Sequence, residues 1–243
     1  MSKEINKIVT KVTECIYPKR CPGCDELLKR GEKQAGFCRK CAKDISLTGG
    51  QVCMKCGSPI KNGQAEYCAS CAGRVHKFRQ SKAVYKYQGP MKQAMYRFKY
   101  SNRRCYARIF AKHAIMSHRD FFEKSGVEAI IPVPMYAKKQ KKRGYNQAEV
   151  FARALGRELD LPVYSNIVRR DKNTVPMKQL NPIERRENLQ NAFKLSENVV
   201  IFRKVLLIDD IYTTGATMDA VAEVLLSQGV GEVYSYCICV GEN

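Results

Sequence analysis

Residues 204–217 read KVLLIDDIYTTGAT, and the order of chemistry in this stretch decides how the rest of the chain is read. Val205, Leu206, Leu207 and Ile208 form an apolar run that is too short for a helix and bounded by charge, which predicts a buried strand. Two carboxylates, Asp209 and Asp210, stand at its carboxyl end. Thr213, Thr214, Gly215, Ala216 and Thr217 then place hydroxyls and backbone N–H groups just ahead of a new helix, a turn able to hold a phosphate. A Rossmann fingerprint would need G-x-G-x-x-G, and a P-loop a Gly-Lys-Ser/Thr end. Neither pattern is present.

Working outward, strands alternate with helices. SKAVYKYQG (81–89), VEAIIPVP (127–134), LPVYSNIV (161–168) and EVYSYCICV (232–240) read as strands, the second stopping at Pro132 and Pro134. Met91, Ala94, Met95 and Phe98 mark a short helix, a longer one covers much of 104–122, and Ala148, Phe151, Ala152, Leu155 and Leu159 share one helical face. Met218, Val221, Ala222 and Leu225 mark the helix after the threonine turn. The expected architecture is α/β: a mostly parallel sheet flanked by helices, which binds ligands beyond the carboxyl ends of its strands.

The first 80 residues are different. Cys21-x-x-Cys24, Cys38-x-x-Cys41, Cys53-x-x-Cys56 and Cys68-x-x-Cys71 are four pairs, enough for two tetrahedral four-thiolate shells of structural Zn²⁺. Zinc fits this ribbon-type spacing better than an iron–sulfur cluster. Sequential pairing is the simpler arrangement, with an interleaved cross-brace as the competitor. Such a segment is expected to owe much of its stability to the metal. We therefore expect a small N-terminal zinc-ribbon module with a helix over residues 1–78, then the α/β domain over 79–243. Cys15, Cys105, Cys237 and Cys239 lack ligand spacing and read as buried thiols. His76, His113 and His118 match no ligand or catalytic pattern.

The 243 residues are 44% hydrophobic, enough for a sizeable core, and carry a formal charge of +20 from 43 basic and 23 acidic side chains. Residues 81–143 hold 16 basic and 3 acidic side chains, whereas residues 144–243 hold 11 and 13. Attraction to polyanions therefore centres on the middle of the chain. Lys138, Lys139, Lys141, Lys142 and Arg143 put five cations into six residues, more than a pyrophosphate needs. Arg97, Lys99, Arg103, Arg104 and Arg108 lie near them in sequence, and Tyr85, Tyr87, Tyr96, Tyr100 or Tyr145 could stack bases of a single strand. The first twenty residues interleave lysines with apolar residues, so no secretory signal or membrane span is expected, and a cytoplasmic location is. Ile5, Ile8, Val9 and Val12 suggest a short amphipathic helix.

The stretch VLLIDDIYTTGAT resembles the phosphoribosyl pyrophosphate signature of type I phosphoribosyltransferases. The cysteine pairs, YKYQGPMKQAMYRFKY (85–100), IPVPMYAKKQKKRGYNQAE (131–149) and QLNPIERRENLQNAF (179–193), in that order before the signature, resemble the ComF family, specifically its ComFC-like competence proteins. The resemblance covers nearly the whole chain and implies a type I phosphoribosyltransferase-like fold behind a double zinc ribbon. It also implies a role in natural transformation, with single-stranded DNA, phosphoribosyl pyrophosphate and other competence or DNA-processing proteins as partners.

By this resemblance Asp209 and Asp210 hold the ribose hydroxyls and carry any catalysis, and Thr213, Thr214, Gly215, Ala216 and Thr217 bind the 5′-phosphate. PVPMYAKKQKKRGYNQ matches the place of the pyrophosphate loop after an early strand, so Lys138, Lys139, Lys141, Lys142 and Arg143, with Arg185 and Arg186, meet pyrophosphate or DNA, and Mg²⁺ accompanies phosphoribosyl pyrophosphate if the chain is active. Ala216 stands where many members have a second glycine. Residues 169–190 match the place of a mobile flap. The alternatives are an active phosphoribosyltransferase of nucleotide metabolism and a non-catalytic phosphoribosyl pyrophosphate sensor.

Overall fold

The computed structural model describes residues 18–60, 64–171, 192–196 and 202–241. In chain order the elements are α1 (Arg39–Asp44), α2 (Ala69–Ala72), β1 (Ser81–Lys86), α3 (Pro90–Tyr100), α4 (Tyr106–Ser125), β2 (Ala129–Pro132), α5 (Ala137–Arg143), α6 (Gln147–Leu159), β3 (Val168–Arg170), β4 (Phe193–Leu195), β5 (Lys204–Tyr212), α7 (Ala216–Leu226) and β6 (Glu232–Val240). Four strands make one sheet in the order β1-β6-β5-β2, with every pair parallel. β3 and β4 form a separate antiparallel pair.

β5 is central because both of its faces are apolar. Leu206 and Ile208 enter one core with Phe98, Phe110, Phe151 and Leu155 of α3, α4 and α6. Val205 and Leu207 enter the other, with Met218, Val221, Ala222 and Leu225 of α7. A parallel strand covered on both sides reads as a continuous apolar run, which is what VLLI supplies.

α4 covers the expected stretch and runs on to Ser125, with a break in its backbone at His118 (φ −138°, ψ 35°). Two expectations need correction. LPVYSNIV is not one strand: Val163 makes a single parallel bridge to Ile130, the chain bends at residues 165–167, and Val168 begins β3 against Leu195. The lysine run, expected as a loop, is the helix α5, closed by Gly144 in the left-handed region (φ 86°). The expected helix around Ile5–Val12 lies outside the described residues, as does Cys15. No described helix is long and apolar enough to cross a membrane.

The cysteines gather sequentially, Cys21, Cys24, Cys38 and Cys41 in one quartet and Cys53, Cys56, Cys68 and Cys71 in the other; within each, all sulfurs lie within 4.8 Å of one another. The interleaved alternative is thereby excluded. Cys24 and Cys38 Sγ are 3.7 Å apart, as are Cys56 and Cys68 Sγ. Tetrahedral Zn²⁺ with Zn–S of about 2.3 Å needs sulfurs about 3.8 Å apart, so both quartets fit structural zinc. Backbone N–H groups of Cys38 and Cys41 point at Cys21 and Cys38 Sγ, each at 3.4 Å.

The two quartets are not an appendage. Cys21, Cys38, Cys41, Leu28 and Phe37 belong to the α4-side core, whereas Cys53, Cys56, Cys71 and Phe78 belong to the α7-side core. Residues 46–48 also pair with the open edge of β1, through Thr48 N–H to Val84 O and Lys86 N–H to Ser46 O, both 2.9 Å. That contact covers an otherwise exposed sheet edge. Cys237 and Cys239 are buried as expected, but Cys105 is exposed, because it sits at the start of α4 rather than under it.

Since each quartet is built into a different core, metal removal should unfold the chain as one unit. Treatment with a strong chelator at neutral pH is expected to abolish helical and aromatic circular dichroism together. A protease-resistant fragment covering 79–243 after chelation would contradict this.

Candidate functional site

β5 feeds α7 on one face of the sheet, whereas β2 feeds α5 and α6 on the other. The crevice between their carboxyl ends is therefore the topological switch point, where sheets of this type bind ligands. Pro132 lies opposite Ile208, and Val133 N–H donates to Ile208 O at 2.8 Å, so β2 ends there while β5 runs on beside β6 to Tyr212. Asp209 and Asp210 are the next residues of β5 and both are half-buried.

Their electrostatics differ from those of surface carboxylates. Desolvation, then the adjacent Asp210 charge, pushes the Asp209 carboxyl up to about 7, against the pull of the Asp210 N–H, Lys99 and Arg170. The Asp210 N–H donates to Asp209 Oδ1 at 2.8 Å. Lys99 from α3 pairs with Asp210 at 2.9 Å. Burial opposes the Lys99 charge, but Asp210 and Asp209 outweigh it and hold the ammonium above the usual lysine range.

Beyond Tyr212 the chain turns at Thr213 and Thr214, and Gly215 takes the left-handed region (φ 74°, ψ 0°) as the N-cap of α7. A Cβ at Gly215 would meet Tyr212 Oη at 2.5 Å and His76 Cε1 at 3.0 Å, so glycine is required by conformation and by space. Ala216 is the first residue of α7, with ordinary helical backbone, so the positive φ falls at Gly215 and a second glycine is not needed. Thr213 is exposed, and Thr214 and Thr217 are half-buried. Among the described residues no side chain takes up their hydroxyls, and the N–H groups of Gly215, Ala216 and Thr217 are free first-turn donors.

The motif Arg143-Gly144-Tyr145-Asn146-Gln147 builds the opposite wall. Asn146 caps α6, its Oδ1 accepting from Ala148 N–H at 3.1 Å while its Nδ2 donates to Val133 O at 2.9 Å. This ties the start of α6 to the end of β2. Tyr145 is buried and its hydroxyl donates to Phe98 O. Arg143 donates to Gln147 Oε1 at 2.6 Å and lies 4.8 Å over the Tyr100 ring. Lys138, Lys139, Lys141 and Lys142 project from α5 into solvent. Partial burial, then the nearby charges of Arg170 and Arg143, lower the Lys139 ammonium, so these three cations lie near one another, and Arg170 also acts on Asp209.

Several expected DNA contacts are used internally instead. Arg97 donates to Gly23 O at 2.7 Å, Arg103 pairs with Asp25 at 2.5 Å, Lys99 is held by Asp210, and Arg104 lies 4.4 Å over the Tyr145 ring. These cations bind the first ribbon and the site to the body. Tyr85 and Tyr145 are buried and cannot stack bases. Tyr96 and Tyr100 are exposed by 59% and 61%, with ring centroids 5.1 Å apart beside Arg143, and so remain as a platform. Arg185 and Arg186, and the expected flap beyond Asp171, lie outside the described residues.

One participant carries no sequence signal. His76 Nδ1 faces the Asp219 carboxylate at 2.9 and 3.1 Å, and its Nε2 lies 3.5 Å from Cys71 Sγ. His113 and His118 bond Tyr85 and Tyr236 hydroxyls inside the core. A lone histidine five residues past a cysteine matches no motif, and its carboxylate partner lies 143 positions away.

Comparison with known proteins matches this organisation. Residues 12–72 fit the double zinc ribbon domain family and residues 144–242 the phosphoribosyl transferase domain family. Competence protein F of Haemophilus influenzae is 36% identical over 203 residues, covering 82% of this chain and 87% of that protein. DNA utilization protein YhgH of Escherichia coli is 27% identical over 207 residues, covering 84% and 90%. Competence protein ComFC of Bacillus subtilis is 28% identical over 209 residues, covering 84% and 82%. With two cysteine quartets built into the cores of a parallel sheet that ends in an acidic pair and a threonine loop, the chain belongs to the ComF family of competence proteins.

Proposed function

We propose that this protein handles single-stranded DNA in natural transformation or DNA utilisation, and that its transferase fold binds a phosphoribosyl pyrophosphate-type ligand. The observation that carries the ligand is the switch-point crevice, where a half-buried acidic pair faces a loop with free hydroxyls and N–H donors. Asp209 and Asp210 accept from the ribose 2′- and 3′-hydroxyls. Thr213, Thr214 and Thr217, with the N–H groups of Gly215 and Ala216, hold the 5′-phosphate at the N-terminus of α7. Mg²⁺ would accompany the pyrophosphate, near Lys139, Arg143 and Arg170.

The DNA reading rests on α5 and its neighbours. A single strand tracks along Lys138, Lys141 and Lys142, which have no acidic partner among the described residues, and stacks bases on Tyr96 and Tyr100. Arg170 acts on both Asp209 and Lys139 of α5, so on this reading the sugar phosphate and the strand engage neighbouring surfaces.

Three outcomes test this reading. Calorimetric titration with phosphoribosyl pyrophosphate and Mg²⁺ is expected to give saturable binding, weakened roughly ten-fold or more by Asp210→Asn; no heat from the wild type removes the sugar-phosphate part. Joint Lys141→Glu and Lys142→Glu exchange should weaken oligonucleotide binding in fluorescence anisotropy. The log–log salt slope should flatten by about 1.4 for two lost phosphate contacts, while Asp209→Asn leaves it nearly unchanged.

The third outcome concerns pH. Asp209 is raised from about 3.9 in an unfolded chain to about 7 here. Its contribution to stability is therefore complete below about pH 4 and is lost as pH rises through 7. Asp210, Lys99, Arg170 and Cys237 face the same carboxyl. Asp209→Asn removes that loss, so the variant's Tm should gain on the wild type by roughly 3–10 °C between pH 5.5 and 8.5. A constant difference across that range would show that Asp209 titrates normally.

A further inference from the structure

The second zinc quartet lies under the threonine loop, and three side chains connect them. Arg74, three residues past Cys71, sends Nη1 to the Thr214 carbonyl at 3.0 Å and Nη2 to Asp219 Oδ2 at 2.6 Å. His76 bridges Asp219 and Cys71 Sγ, a member of the quartet, at 2.9 and 3.5 Å. Lys77 N–H closes the set on Asp219 Oδ1 at 2.9 Å. His76 is buried and stacks on Phe78 with ring centroids 4.6 Å apart. Phe78 in turn meets the Tyr212 ring edge-on at 6.2 Å, at the base of the loop.

Peptide geometry gives this tie a direction. In a trans peptide the carbonyl and the next N–H point opposite ways. Arg74 holds the Thr214 oxygen on the ribbon side, and no peptide here is cis, so the Gly215 N–H is turned away from the ribbon. Asp219 fixes the first turn of α7 from the same side. The ribbon thereby sets the orientation of the donors that begin the helix. The first quartet has no such connection, its knuckle being held by Arg97 of α3 through the Pro22 and Gly23 carbonyls.

We propose that Arg74, His76 and Asp219 are positioning residues that couple zinc in the Cys53–Cys56–Cys68–Cys71 quartet to sugar-phosphate binding at the Thr213–Thr217 loop. The proposal rests on the ligand reading given above for that loop. Zinc fixes Cys71, Cys71 fixes His76, and His76 with Arg74 fixes Asp219 and the Thr214 carbonyl. Coupling of this kind is reciprocal: a ligand that favours the ordered loop must also favour the zinc-loaded quartet, by the same factor.

Two measurements on the full-length zinc-loaded protein test it. The first is amide hydrogen exchange without ligand. Arg74→Ala is expected to speed exchange across residues 213–219, whereas Arg97→Ala, which frees the knuckle of the first quartet, leaves that segment protected. Equal protection in both overturns the proposal whether or not the loop binds a sugar phosphate.

The second is zinc release to a colorimetric chelator, with and without phosphoribosyl pyrophosphate and Mg²⁺. In the wild type the ligand should slow release of one of the two zinc ions and tighten its equilibrium affinity by about 5- to 150-fold. Arg74→Ala and Asp219→Asn should keep both zinc ions in the absence of chelator, yet weaken ligand binding and abolish that slowing. A role confined to folding would leave the slowing intact in any variant that still folds, and that result overturns the coupling. Wild type that shows no calorimetric binding would overturn the ligand reading, while the exchange arm would still decide whether the quartet orders the loop.

Discussion

The Asp219 carboxylate is the joint on which the arrangement depends. It accepts from Arg74, His76 and the Lys77 N–H, all from the segment just after the second cysteine quartet, while its backbone belongs to the first turn of α7. A carboxylate only accepts, and here its oxygens meet two side chains and one amide from a single short segment. Its side chain is 13% exposed, so little water competes for those bonds. Hydrogen bonds to a charged group in such surroundings are worth roughly 1.5–3 kcal/mol each, and losing one partner leaves the others poorly satisfied. The same residue also places a negative charge in the first turn of α7, where the helix dipole favours it.

The acidic pair above this joint shows the opposite use of charge. Asp209 and Asp210 are adjacent on one strand, and desolvation and their mutual repulsion raise the Asp209 carboxyl. Lys99 pairs directly with Asp210, and Arg170 acts on Asp209. A fold indifferent to ligand would gain by replacing such a group with a hydrophobic one, since neither carboxylate fills core volume. A polyhydroxyl ligand changes the balance, because each sugar hydroxyl donates to an oxygen that otherwise faces the crevice. On the proposed reading, the repulsion within the pair and its capacity to bind are thus one property seen in two states.

How much of this is legible in the sequence depends on whether the signal is local. β5 and the start of α7 are readable because strand, carboxylates and loop follow one another within fourteen residues. The quartets are readable because a C-x-x-C turn presents both sulfurs to one ion, and only their pairing has to come from coordinates. α5 reads as a loop because AKKQKKR has no apolar face to register as periodicity. Its residues are nonetheless good helix formers, and Gly144 supplies the left-handed stop. LPVYSNIV misleads for the converse reason. Its apolar content resembles a strand, but only Val163 lies against Ile130, where Tyr164 N–H and Pro162 O bond the Ile130 backbone.

The cations expose a limit of counting charge along a chain. Residues 81–143 are the most basic part of the sequence, yet Arg97, Lys99, Arg103 and Arg104 point inward to carbonyls, carboxylates and an aromatic ring. Arginine suits these posts because its planar fork bonds carbonyls and stacks on rings. Lysines, strongly hydrated and flexible, are left on the outer face of α5. Apart from Lys99, held by Asp210, the basic stretch therefore divides by chemistry: guanidinium groups hold the first ribbon and the Tyr145 ring in place, and the ammonium groups of α5 face solvent where a phosphate chain would arrive. A variant that exchanged Lys141 and Lys142 would alter that outer face alone, whereas one at Arg97 or Arg103 would disturb the ribbon before it disturbed any ligand.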